Sequence, residues 1–167
     1  GAATAIMLFV SVLLHELAHS VVARGDKMEV SSITLFIFGG VSQIAAEPPS
    51  AATEFRMAAV GPLTSFALAI IFAILQPVVS GFAPLLAMAR YLTYINLSLG
   101  AFNLIPGFPL DGGRVLRSLV WSATRSFSRA TMVAGNVGRF IAYGFILLGV
   151  WQIVSGSVAN GLWIAFI

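Results

Sequence analysis

The sequence predicts an all-α polytopic membrane protein with a small β-hairpin or sheet inserted after the first helix. Apolar residues make up 59% of the 167 residues, charged residues make up only 9%, and the mean hydropathy is +0.97. Several apolar stretches reach the roughly 20 residues that a helix needs to cross a hydrocarbon layer. We therefore expect about five to six membrane helices in one membrane-embedded unit, residues 1–167, in contact with the lipid bilayer.

The first helix is predicted for residues 2–24, where the only ionisable side chains before Arg24 belong to one short motif. Gly25 and Asp26 end this helix. Residues 28–44 are rich in β-branched and aromatic side chains, which indicates short strands. Gly39 and Gly40 interrupt them, either as the turn or at a point of close approach.

The rest of the chain alternates apolar segments with breaks that contain Pro and Gly. Thr53 is a candidate N-cap for a second helix, which extends to about Gln76, bends at Gly61-Pro62 and is closed by Pro77. Further helices are predicted for residues 84–104, 114–129, 132–154 and from 161 onward.

Basic residues predict the orientation, because cytoplasmic loops carry the excess of Lys and Arg. The side on which the first helix ends would hold Arg24, Lys27, Arg56, Arg114, Arg117, Arg125 and Arg129. The opposite side offers only Arg90. We therefore expect the C-terminal end of the first helix to face the cytosol, with Arg114 and Arg117 as anchors. The basic residues are too few and scattered to indicate a nucleic-acid partner.

The ionisable motif of the first helix is His-Glu-Leu-Ala-His. Its spacing puts His15 and His19 on one helical face, where both imidazoles can reach a single Zn²⁺. Glu16 lies beside them and is placed to take a proton from the attacking water. A chance match is the alternative. It is disfavoured because the chain has no other histidine and because a buried carboxylate in an apolar helix calls for a cation.

A catalytic zinc site usually has three protein ligands, so one ligand is missing from the motif. The candidates are Asp26, Glu29, Glu47, Glu54 and Asp111. The first four lie in polar segments, where a solvated carboxylate needs no explanation. Asp111 instead follows an apolar helix, in a Pro- and Gly-containing loop that could fold back into the membrane. Its alternatives are a cap on the next helix or an ion pair with Arg114.

Taken together, these motifs resemble the site-2 protease family of intramembrane metalloproteases. The resemblance rests on HELAH, FGGV, AVGPL and NLIPGFPLDGGR, which follow the family's order and cover nearly the whole chain. It implies one zinc ion held by His15, His19 and Asp111, with Glu16 as the catalytic base. It also implies that Asn103 orients substrate or stabilises the oxyanion. From the residues alone, an interhelical hydrogen bond is the alternative for Asn103.

The resemblance implies an integral, multi-pass enzyme that cleaves transmembrane protein substrates near the cytosolic side. A strand containing Gly39 and Gly40 could hold unwound substrate by strand addition, or the sheet could merely pack against the helices. The rival classes are a membrane zinc-binding or transport protein and an inactive scaffold that binds helices. Relatives commonly add a preceding helix and PDZ or CBS domains, so we expect a piece of a longer protein. No sequence signal indicates an oligomeric state.

Overall fold

The computed structural model describes residues 1–26, 28, 30–36, 39–44 and 47–166. In these ranges the chain forms six helices: α1 (Ala2–Gly25), α2 (Ala51–Val78), α3 (Ala83–Asn103), α4 (Asp111–Thr124), α5 (Phe127–Val154) and α6 (Val158–Phe166). Helices α1, α2 and α5 are long and apolar enough to cross a membrane. A helical membrane protein is therefore confirmed, whereas the total of five to six membrane helices stays a prediction.

Two short strands follow α1. The backbone of β1 (Val30–Phe36) pairs antiparallel with that of β2 (Gly39–Ile44). Gly39 and Gly40 lie in β2, opposite the end of β1, and not at the turn itself. The connecting residues 37–38 lie outside the described residues, as do Lys27 and Glu29.

The start of α2 differs from the prediction. Ser50, and not Thr53, is the N-cap, and its hydroxyl oxygen accepts a hydrogen bond from the Thr53 backbone N–H at 3.1 Å. The helix also continues past Pro77 to Val78 and contains Pro62 in its interior. Both prolines remove only one helical donor each, and a long helix within a bundle tolerates that loss.

Helix α2 is the centre of the bundle and contacts α1, α3 and α4. The buried side chains are largely polar or small, while large apolar side chains such as Ile6, Ile74 and Phe140 are more than half exposed. Polar groups inside and apolar groups outside are typical of helices that pack against each other in lipid. The fold thus places His15, Glu16, His19 and Glu54 in the interior of the bundle.

Candidate metal centre

The two histidines of α1 lie directly over one glycine of α2. His15 and His19 are only 3% and 4% exposed, one helical turn apart. A Cβ atom at Gly61 would lie 2.2 Å from Nε2 of His19 and 2.7 Å from Nε2 of His15. No side chain can occupy that space without moving the imidazoles. The sequence indicated only a bend at Gly61-Pro62, because the role of Gly61 arises from the packing of α1 on α2.

The Nδ1 atom of each imidazole has a hydrogen-bond partner on α2. Nδ1 of His15 lies 2.9 Å from the Ser65 hydroxyl, and Nδ1 of His19 lies 2.6 Å from the Met57 carbonyl oxygen. A carbonyl only accepts hydrogen bonds, so Nδ1 of His19 carries the proton and its Nε2 keeps a lone pair. Met57, Gly61 and Ser65 follow one another at intervals of one turn along α2. In that order they supply the partner of His19, the space for both imidazoles and the partner of His15.

Asp111 completes the cluster from the opposite side. Its Oδ2 lies 3.2 Å from Nε2 of His15 and 3.2 Å from Nε2 of His19. Asp111 is the first residue of α4, and Leu110 is the N-cap of that helix. A carboxylate binds a metal as its anion, so Oδ2 of Asp111 would be the third ligand atom beside the two imidazole nitrogens.

Close backbone contacts of two glycines hold Asp111 in place. A Cβ at Gly112 would lie 2.3 Å from the carbonyl oxygen of Leu104, and one at Gly113 would lie 2.6 Å from the carbonyl carbon of Gly107. The loop after α3 therefore rests on the first turn of α4. On its other side, Gly107 packs tightly against Gly138 of α5. The Asp-Gly-Gly sequence permits this approach because neither glycine has a side chain.

The three ligand atoms fit a single zinc ion. They lie within 4.8 Å of one another. Zn–N and Zn–O bonds of about 2.0–2.2 Å in a tetrahedral site place neighbouring ligand atoms about 3.3 Å apart, close to the 3.2 Å between Asp111 and each histidine. Two imidazoles and a carboxylate suit zinc. In the part of the chain that the structure describes, no second group of three such residues is found.

The comparisons with known proteins decide the family. The profile of Peptidase family M50 matches residues 3–90 and 80–145. The chain belongs to peptidase family M50. The M50 chain is 43% identical to Rip3 of Mycobacterium tuberculosis over 170 residues, which cover 100% of this chain and 43% of that protein.

A further sequence match and a solved structure both come from Methanocaldococcus jannaschii. A zinc metalloprotease is 40% identical over 148 residues, which cover 86% of this chain and 42% of that protein. The solved structure of a site-2 protease matches with a TM-score of 0.72 at 34% identity, over 96% of this chain and 73% of that one. The resemblance to the site-2 protease family is thereby confirmed. The M50 chain spans about two fifths of the length of the curated relatives described here.

The structure describes fewer contacts for the other predicted site residues of the M50 chain. Glu16 is buried, at 8% exposed, and follows His15 on α1. Asn103 is the last residue of α3, and its amide donates to the Leu99 carbonyl at 3.0 Å, within its own helix and not between helices. For Gly39 and Gly40 only the backbone pairing is described.

The interpretation of Glu54 as a solvated carboxylate was wrong. Glu54 is 0% exposed instead of solvated, and its Oε1 accepts hydrogen bonds from Nε and Nη2 of Arg117. The Arg117 guanidinium is only partly exposed and also lies over the rings of Phe108 and Phe127, so it links α4 to α2. Its prediction as a cytosolic anchor stays a prediction. Arg114 is partly buried too, and the carboxylates of Glu54 and Asp111 lie near its guanidinium.

The remaining described carboxylates lie outside the cluster. Asp26, the residue after α1, pairs with Arg56 of α2 at 2.7 Å. Glu47 is exposed. Neither belongs to the three-residue group, which leaves Asp111 as its only carboxylate among the described residues.

Proposed function

We propose that this M50 chain is the single membrane-embedded core of a zinc metalloendopeptidase that cleaves transmembrane protein substrates. One observation carries the proposal: Nε2 of His15, Nε2 of His19 and Oδ2 of Asp111 converge in the interior of an apolar helical bundle, next to Glu16. The names of the Methanocaldococcus relatives, a zinc metalloprotease and a site-2 protease, support it.

Each site residue has its own role in the proposed hydrolysis. A zinc ion held by His15, His19 and Asp111 would activate water for attack and polarise the scissile carbonyl. Glu16 takes the proton from the attacking water and passes it to the leaving amine. Asn103 orients the substrate or donates a hydrogen bond to the developing oxyanion. Its amide has two N–H donors, and the bond to the Leu99 carbonyl uses only one of them.

A membrane helix has its backbone hydrogen bonds closed on themselves, so the substrate must unwind before hydrolysis. Each strand of the two-stranded β1–β2 sheet has an edge without a third strand among the described residues. We propose that the segment around Gly39 and Gly40 receives unwound substrate by strand addition. Hydrogen exchange of residues 36–41 should slow when a substrate peptide binds. Unchanged exchange would leave the hairpin as a packing element only.

The active site is proposed to face the cytosol. The Arg56–Asp26 and Arg117–Glu54 pairs bring basic side chains to the end of the bundle where α1 finishes and α2 starts. This agrees with the excess of basic residues in cytoplasmic loops. The chain has no cysteine, so single cysteines at Ser80 and Ser126 can be labelled in sealed vesicles. Opposite accessibility is expected, with Ser126 on the cytosolic side; the reverse result would invert the topology.

The predicted five to six membrane helices are proposed to include α3. Its 21 residues span about 31 Å, enough to cross the hydrocarbon layer. Helices α4 and α6 have 14 and 9 residues. They are too short to cross on their own, and we place them within the membrane region beside α2 and α5.

The test uses the full-length protein in detergent with a membrane-helix substrate. Wild type should hold one zinc and cleave, Glu16→Ala should keep zinc without cleaving, and Asp111→Ala should lose both. Zinc binding without cleavage, together with a silent Glu16→Ala substitution, would favour a transport protein or an inactive scaffold. Normal zinc content in Asp111→Ala would remove Asp111 from the ligand set.

A further inference from the structure

Ser65 is unusual among the hydroxyl side chains of the bundle. It is 0% exposed in the middle of α2. Other hydroxyls in the helices, such as those of Ser11, Thr64 and Ser118, donate to a carbonyl three or four residues earlier in their own helix, which is the usual local bond for these residues. The hydrogen bond found for Ser65 goes instead to another helix, to Nδ1 of His15 at 2.9 Å.

We propose that Ser65 is a positioning residue that fixes the tautomer and ring orientation of His15 and thereby sets the zinc affinity of the site. For Nε2 of His15 to offer its lone pair to a metal, Nδ1 must carry the proton and donate it. The Ser65 oxygen is the acceptor in place for that proton. Partners of this kind commonly orient metal-binding histidines and raise their basicity.

The two histidines differ in a way that makes the inference testable. His19 is held by the backbone carbonyl of Met57, which no side-chain substitution removes. His15 is held by a hydroxyl, which Ser65→Ala deletes while leaving the ligand itself intact. The inference rests on the proposed function only through zinc binding and does not depend on peptide cleavage.

The chain offers a matched control in Ser118. This serine of α4 is 2% exposed, and its hydroxyl bonds only within its own helix, to the Val115 carbonyl. Ser118→Ala therefore removes an equally buried hydroxyl without changing a partner of the histidines. Ser65→Thr keeps the hydroxyl at the tested position and serves as the rescue.

The experiment measures zinc affinity by chelator competition on the full-length protein in detergent. Ser65→Ala should weaken zinc binding about 10- to 100-fold, the usual cost of losing such a partner. Ser65→Thr should restore most of the affinity, and Ser118→Ala should bind zinc like wild type. The visible spectrum of the cobalt-substituted protein should change in Ser65→Ala alone, which a general loss of stability would not produce.

Wild-type affinity in Ser65→Ala would overturn the inference, and so would an equal loss in Ser118→Ala, since that would reflect packing. Failure of the proposed function would give a different experimental result from failure of the Ser65 inference. If wild type binds zinc tightly but never cleaves substrate, the protease proposal fails while the effect of Ser65 stands. If Asp111→Ala keeps full zinc affinity, the ligand set itself is wrong.

Discussion

The histidines and Asp111 reach the metal centre by different structural routes. His15 and His19 belong to one regular helix, where the spacing alone puts them side by side, and α2 supplies their partners and the gap at Gly61. Asp111 follows an irregular loop and lies where close backbone contacts hold it. The two histidines, the helical half of the site, therefore depend on the approach of α1 to α2. Asp111, the loop half of the site, depends on several backbone contacts of the loop before it.

The largest effect should come from breaking the helical half. Gly61→Ala would put a Cβ 2.2 Å from Nε2 of His19 and 2.7 Å from Nε2 of His15, so both imidazoles must move. We expect loss of bound zinc and of cleavage, measured by metal content and substrate hydrolysis. Gly144→Ala is the control, since nothing lies within 4 Å of its added Cβ. A Gly61→Ala protein with full zinc would show that α1 and α2 separate easily.

A smaller loss is expected from breaking the loop half. Gly112→Ala would put a Cβ 2.3 Å from the Leu104 and Ile105 carbonyl oxygens, so the loop must shift and displace Asp111. The two histidines would remain in place, and zinc should bind weakly instead of being lost. Chelator competition would distinguish this from Gly61→Ala. Equal zinc affinities in the two variants would mean that the halves of the site are not independent.

The buried ion pair between α2 and α4 provides a third test of the loop half. Arg117→Met would leave Glu54, at 0% exposure, without the cation that donates hydrogen bonds to it. This should lower the free energy of unfolding by about 3–5 kcal/mol. The double variant Glu54→Leu/Arg117→Met should recover most of that stability. Denaturation in detergent measures both effects.

The zinc affinity of Arg117→Met tests whether the contact between α4 and α2 also holds Asp111. Because Arg117 lies in the same helix as Asp111, a weaker hold of α4 on α2 should reduce zinc affinity in Arg117→Met while leaving the partners of His15 and His19 unchanged. Full zinc affinity in a destabilised Arg117→Met protein would mean that the loop glycines alone position Asp111.

The sequence predicted the helical half of the site better than the loop half, for a physical reason. A four-residue spacing in a helix fixes the relative positions of His15 and His19 without reference to the rest of the fold. Asp111 could be preferred over the other carboxylates, but its assignment needed the family resemblance, because loop geometry is set by distant contacts.

The features that the sequence did not reveal all depend on packing between helices. Gly61 and Ser65 acquire their roles only when α1 lies against α2, and a glycine or serine in an apolar helix gives no specific signal beforehand. Glu54 was predicted to be a solvated carboxylate and Arg117 a cytosolic anchor, because each lies in a polar segment. The packing of α4 on α2 buries them together.

The smallest effect should follow from the exposed ion pair that links the end of α1 to α2. Arg56 is 60% exposed and lies 2.7 Å from Asp26, and pairs of this kind contribute at most about 1 kcal/mol. Arg56→Ala should therefore change the unfolding free energy by less than about 1 kcal/mol and leave zinc affinity unchanged. A clear loss of zinc in Arg56→Ala, measured beside Gly61→Ala, would mean that this surface pair, and not the close approach at Gly61, holds the two histidines against α2.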